Sequence, residues 1–179
     1  MFEKAEEIRD YLKEQNNETT GQIAELLQMQ EKLDLKMFER AGLAAYPEDH
    51  IKTALIVELG EFLNEMPSCF KYWKKTATDN REKALEELAD CMHFALSLTN
   101  AITTRGAYEI AETIKLRIRG FRSLHMDALE ATRQIVRGND EPITRIIALG
   151  ESMGFTWPEM YEAYKEKNKV NYDRIQAGY

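Results

Sequence analysis

Two pairs of acids, Glu58-x-x-Glu61 and Glu87-x-x-Asp90, are the residues of this chain best suited to chemistry. Each pair has i,i+3 spacing within a stretch of helical apolar period. Both acids of a pair therefore share one helix face, about 5–6 Å apart at Cβ. Two such faces turned toward each other would gather four negative charges. Like charges at that range are costly unless a cation bridges them or some carboxyls stay protonated. Oxygen ligands of this kind suit Mg2+, and Mg2+ held by carboxylates usually also holds substrate phosphates. The chemistry expected is metal-assisted work on a phosphate compound.

With 31 acids among 179 residues, such pairs also arise by chance on solvated helix faces. The neighbours separate the two cases. Val57, Leu59, Phe62 and Leu63 surround the first pair, and Leu85, Leu88, Met92 and Ala95 the second. These acids sit beside an apolar stripe and not opposite it. Acids at the edge of a core need partners, because burying an unpaired charge is expensive.

The elements that must position them are helices. Four Pro and nine Gly, with many Ala, Leu, Glu, Lys and Met, favour an all-α fold, and no alternating strand run appears. The pattern predicts a short charged helix over 3–15, with Ile8, Tyr11 and Leu12 as its apolar side. Asn16 to Gly21 reads as a break, and a second helix follows from Ile23 to about Ala41. Pro47 opens a third helix over roughly 48–65, which carries the first acidic pair and which Pro67 closes. Thr78-Asp79-Asn80 caps a fourth, about 81–100, with the second pair. The stretch 107–137 is helical by period, through Ile110, Ile114, Leu116, Ile118, Phe121, Leu124 and Leu129, with Gly120 as a possible break. Gly138 to Pro142 marks a turn and a helix start, and Gly154 to Pro158 introduces a last helix. No repeat, low-complexity tract or linker divides the chain, so residues 1–179 read as one domain.

A net charge of −7 argues against a general nucleic-acid binder, but not against a small anionic substrate at a site carrying a metal. Cys69 and Cys91 are too few for a disulfide framework or a zinc site and read as free thiols in a reducing cytosol. The N-terminal residues show no apolar signal region, and no run is long enough to span a membrane. The expected place is cytoplasmic.

Beyond the acids, two strings are distinctive: Phe70-Lys71-Tyr72-Trp73-Lys74 and His93-Phe94-Ala95-Leu96-Ser97-Leu98. With ELGEFLNE before them and LEELAD between them, they resemble the core of the dimeric, all-α dUTP diphosphatases. That family belongs with the MazG-like nucleotide pyrophosphatases. Upstream, Leu27 to Asp34 resembles the first family motif, and Lys167 to Tyr179 resembles the closing one. The resemblance covers 23–98 and 165–179; the stretch between matches only in being helical. Two departures stand out. Several relatives carry Asn where Asp34 stands, and Asp173-Arg174-Ile175-Gln176 lacks the adjacent Arg-Gln, so Gln176 is not carried over.

The resemblance implies a helical bundle of the all-α nucleotide pyrophosphatase type with a central four-helix core. It implies hydrolysis of dUTP to dUMP and pyrophosphate, with Mg2+ held by Glu58, Glu61, Glu87 and Asp90. Glu58 would also accept the proton of the attacking water. Trp73 would stack on the base, and Gln30 and Asp34 would meet the nucleotide. Lys71, Lys74, Lys167 and Arg174 would meet phosphate, Asn168 and Asn171 phosphate or base, and Tyr179 would close over the substrate. His93 is expected in the core or behind the ligands. A homodimer with two sites is implied, with no stable nucleic-acid partner and no membrane.

Three rivals remain at this point. A dCTP or broad-specificity house-cleaning pyrophosphatase would share the metal site. A di-iron bundle needs Glu-x-x-His on two helices, and only Asp90-x-x-His93 comes near. A non-catalytic helical interaction protein would leave the acids as surface charge.

Overall fold

The computed structural model describes residues 2–123, 128–138 and 142–178. They form seven α-helices, with no strand among the described residues: α1 (Phe2–Ala41), α2 (Glu48–Glu65), α3 (Arg81–Ala101), α4 (Ala107–Ser123), α5 (Ala128–Val136), α6 (Pro142–Ser152) and α7 (Trp157–Ala177). One 3-10 turn, Pro67–Cys69, follows α2. The side chains of Ile8, Tyr11 and Leu12, residue Leu124, the middle of the turn after Gly138, and Tyr179 lie outside the described residues.

Local chemistry accounts for most boundaries. Pro47 precedes α2, and Glu48 and Asp49 sit in its first turn, where carboxylates meet the positive end of the helix dipole. The Asn80 side chain caps α3 by accepting from the Lys83 amide. α7 opens with a capping box: Thr156 Oγ1 accepts from the Glu159 amide, and the Glu159 carboxylate accepts from the Thr156 amide. It closes at Gly178, whose φ of 87° is left-handed and whose amide donates to the carbonyls of Arg174 and Ile175.

The expected break at Asn16 to Gly21 is absent. α1 runs unbroken for 40 residues. Weak helix formers and one glycine cost about 1 kcal/mol at most at any one position, and tertiary packing overrides that. The packing here is α4, whose Lys115 Nζ donates to Thr20 Oγ1 at 2.9 Å. Gly120 does not break α4 either; the helix continues to Ser123. Leu116, placed on the apolar period, is exposed.

α3 is the central helix, packed against α1, α2, α6 and α7. Leu88, Ala89, Cys91, Met92, His93, Ala95, Leu96, Ser97, Leu98 and Thr99 are all buried, so its second half is enclosed on every side. One apolar core runs from Ile23 and Leu27 of α1 through Leu59 and Phe62 of α2 to Ile146 of α6 and Met160 of α7. Gly150 on α6 lets that helix approach closely. A Cβ there would lie 2.6 Å from Met160 Sδ and 2.8 Å from Leu88 Cδ2.

α1 and α7 run side by side in parallel. Gln22 meets Trp157, Glu25 meets Tyr161, Gln30 meets Tyr164, Lys36 meets Tyr172 and Arg40 meets the carbonyl of Ile175. α2 and α3 are antiparallel. The Asn80 amide donates to the Glu65 carbonyl at one end, and Tyr46 meets Ser97 at the other. No helix among the described residues is long and apolar enough to cross a membrane.

Candidate active site

The antiparallel pairing of α2 and α3 brings the two acidic motifs face to face. Ligand oxygens of Glu58, Glu61 and Glu87 all lie within 4.8 Å of one another. Glu58 and Glu87 are half-buried and Glu61 is exposed. Burial comes first in raising the Glu58 carboxyl, followed by the charges of Asp90, Glu61 and Glu87; together they push it up to about 7, against a smaller opposing pull from Lys167. Burial and then the Asp90 and Glu61 charges also push Glu87 up. Three oxygen donors converging at the mouth of a core, their repulsion only partly offset by Lys167, fit a hard divalent cation.

The fourth acid stands slightly apart, against α7. Asp90 Oδ2 is 2.6 Å from Lys167 Nζ, an ion pair with both side chains mostly buried. Burial raises the Asp90 carboxyl, and the Lys167 bond and the charges of Lys167 and Arg174 pull the other way. α7 thus presents two cations to the acidic face, from residues seven apart in sequence.

Behind this row lies a buried polar cluster. Gln30 Nε2 donates to Asp34 Oδ1 at 2.7 Å. Gln30 Oε1 lies 2.7 Å from His93 Nδ1 and accepts from the Tyr164 hydroxyl at 2.9 Å. His93 and Tyr164 stack with ring centroids 4.2 Å apart. Burial, with a contribution from the Lys167 charge, pushes His93 down to about 3, so its ring is neutral. It is buried in the core, with its Nε2 left without a hydrogen-bond partner among the described residues. Asn168 is buried beside the cluster.

The remaining candidates spread outward. Asn171 is half-buried and Arg174 exposed near the end of α7. The loop between α2 and α3 is closed at its base, where Asp79 accepts from the Ser68 amide. Its tip carries Trp73, 64% exposed, in edge contact with Phe70 and with the almost fully exposed Tyr72. Lys71 lies over the Phe70 ring, and Lys74 is exposed. Among the described residues no hydrogen bond or ion pair joins Trp73, Lys71 or Lys74 to the carboxylates. Tyr164 was not singled out from the sequence. Its position one turn before Lys167 and Asn168 is the signal that could have found it.

An all-α bundle with this acidic cluster has a counterpart among known families: the family model described as dUTPase matches residues 22–179. The chain belongs to the dUTPase family. The match spans the stretch 100–160, which the sequence motifs left unassigned, as well as both acidic helices and α7. Membership makes this an enzyme of dUTP hydrolysis, a dUTP diphosphatase. A comparison with curated proteins finds no match.

Proposed function

We propose that the enzyme cleaves dUTP to dUMP and pyrophosphate at a Mg2+ centre held by Glu58, Glu61, Glu87 and Asp90. The observation that carries this reading is the convergence of Glu58, Glu61 and Glu87 within 4.8 Å, across from the Asp90–Lys167 pair. A divalent ion bound there neutralises phosphate charge and lowers the pKa of a bound water. Every other part of the reaction falls to the chain itself.

Glu58, half-buried among the converging acids, takes the proton of the attacking water. Lys167 and Arg174 supply charge to phosphate oxygens from one face of α7, and Asn168 and Asn171 supply amides on the neighbouring face. Trp73, on its exposed loop, stacks on the base, and Lys71 and Lys74 add charge near the phosphates. Gln30 and Asp34 act from behind this surface, and Tyr179 closes over it. Their mutual engagement favours a supporting role for Gln30 over a direct base contact.

Residues 1–179 act as one domain, a reading supported by the continuous core. The enzyme works as a cytoplasmic homodimer. Two free thiols are compatible with a reducing compartment. The exposed Ile56, Ile102 and Val136 line a cavity of about 310 Å³ between α2, α3 and α5, an apolar surface suited to a second copy.

The test is hydrolysis of each deoxynucleoside triphosphate with and without Mg2+, with products resolved by ion exchange. The expected result is Mg2+-dependent release of dUMP and pyrophosphate, with dUTP preferred. Equal rates on dUTP and dCTP would replace this reading with a broad-specificity pyrophosphatase.

A further inference from the structure

Gln30 is the branch point of a partly buried chain of polar groups that crosses the molecule. Tyr46, ahead of α2, reaches Ser97 on α3 at 3.2 Å, and Ser97 bonds to Asp34 on α1. Asp34 accepts from Gln30, which meets both His93 and Tyr164. An amide has one donor end and one acceptor end, so the bond on one side dictates the bonds on the other.

The Gln30 amide has two orientations, each with its own set of bonds. With Asp34 ionised, the Gln30 amide nitrogen must face it. The Gln30 oxygen then accepts from Tyr164 and from His93, whose hydrogen is on Nδ1, and Nε2 carries a lone pair. A protonated Asp34 keeps one acceptor oxygen, so the second arrangement requires its O–H to donate to the Gln30 oxygen and not to Ser97. The amide is turned over, its nitrogen donates to the Tyr164 oxygen and to Nδ1 of His93, and the ring hydrogen is on Nε2.

We propose that Asp34 is a proton-operated switch that, through Gln30, sets which nitrogen of His93 carries the hydrogen. Asp34 gains one proton from solvent; His93 keeps one throughout, exchanged through water from Nδ1 to Nε2. The distal nitrogen of His93 changes from acceptor to donor, one turn along α3 from Asp90. His93 Nε2 and Asn168 Nδ2 are buried with no hydrogen-bond partner among the described residues.

The titratable groups facing Asp34 leave it as the group that changes. Burial pushes Asp34 up to about 6, against the bonds from Ser97 and Gln30. Tyr46, pushed up to about 12 by burial and by the charges of Asp34 and Glu48, stays neutral. Tyr164 on α7 is pushed up by burial and by Asp34, and stays neutral. His93 on α3 stays neutral because burial and the Lys167 charge hold it down to about 3. This inference stands apart from the proposed reaction and needs no substrate.

The experiment is nitrogen NMR of the imidazoles in the full chain labelled at histidine, from pH 5 to pH 8. His50 and His125 are assigned by His50→Gln and His125→Gln. The expected result is a His93 ring with Nδ1–H at pH 8 and Nε2–H at pH 5, crossing over near pH 6. Asp34→Asn abolishes the crossover, and Gln30→Met abolishes it while leaving Asp34 in place. A single tautomer throughout in the wild type would overturn the proposal, as would the same crossover in Asp34→Asn or a doubly protonated ring at pH 5.

Discussion

Lys167 Nζ lies 2.6 Å from Asp90 Oδ2, which ties α7 to the acidic row of α3 across 77 positions of sequence. That bond puts a cation next to the fourth carboxylate, while the other three acids face one another. The site is therefore divided into an oxygen-donor corner and a cationic wall. A triphosphate has charge to satisfy both.

Removing the cationic wall should weaken substrate handling more than it weakens the fold. Lys167→Met leaves Asp90 without its partner and adds an uncompensated acid to the cluster. A fall in kcat/KM for dUTP of at least 10-fold is expected, about 1.4 kcal/mol, with Lys167→Arg partly restoring it. Steady-state kinetics at fixed Mg2+ check this, with circular dichroism to establish that the variant is folded. Unchanged kcat/KM would remove Lys167 from the site.

The raised Glu58 carboxyl gives a pH dependence with a definite sign. Its folded value of about 7 lies above the ordinary 4.5, so the folded state prefers the protonated form. The metal-free protein should lose stability from this group as pH rises from about 4.5 to about 7, and nothing further above that. His93 works in the opposite sense. Its folded value of about 3 lies below the ordinary 6.5, so its contribution is present above 6.5 and lost as pH falls toward 3. Urea unfolding in EDTA, wild type against Glu58→Gln, isolates the first effect. The variant should gain on the wild type as pH rises from 4.5 to 7, and parallel curves would contradict the assignment.

Competition between protons and cation follows from the same group. The Mg2+ concentration for half-maximal activity should rise as pH falls below about 7, and rise less steeply in Glu58→Asp. Activity assays over a grid of pH and Mg2+ measure it directly.

Packing at the α6 crossing makes a separate prediction about stability. Gly150→Ala places a methyl group 2.6 Å from Met160 Sδ and 2.8 Å from Leu88 Cδ2, both fully buried. The crowding should cost about 1–3 kcal/mol, read as a lower denaturation midpoint with little change in KM. Gly60, with open space around its Cβ position, should accept Ala without such a loss.

Much of the framework was legible from local signals. Pro47, Pro67 and Asn80 bound α2 and α3 where the pattern places them, because caps and prolines act within one turn. The continuity of α1 is not legible locally, because the Asn16 to Gly21 stretch has poor helix formers and packs on α4, brought in from 95 residues away. The acidic pairs were visible because i,i+3 spacing on a helix is itself geometry. The Asp90–Lys167 bond and the Gln30 branch point were not, since each depends on which helices become neighbours. Trp73 was legible as a type but not as a position, since its loop is exposed and its contacts are with its own neighbours.

The Glu58–Glu61–Glu87 cluster is proposed to hold the cation on which dUTP hydrolysis depends. The most direct measurement is a Mg2+ titration of dUTP hydrolysis in Glu61→Gln beside the wild type, with the fold checked by circular dichroism. Glu61 is exposed, so its replacement spares the core. A folded variant whose maximal rate falls at least 100-fold, about 2.7 kcal/mol, with half-saturation moved to higher Mg2+, is the predicted result. A folded variant with the wild-type rate and the wild-type Mg2+ dependence would contradict it.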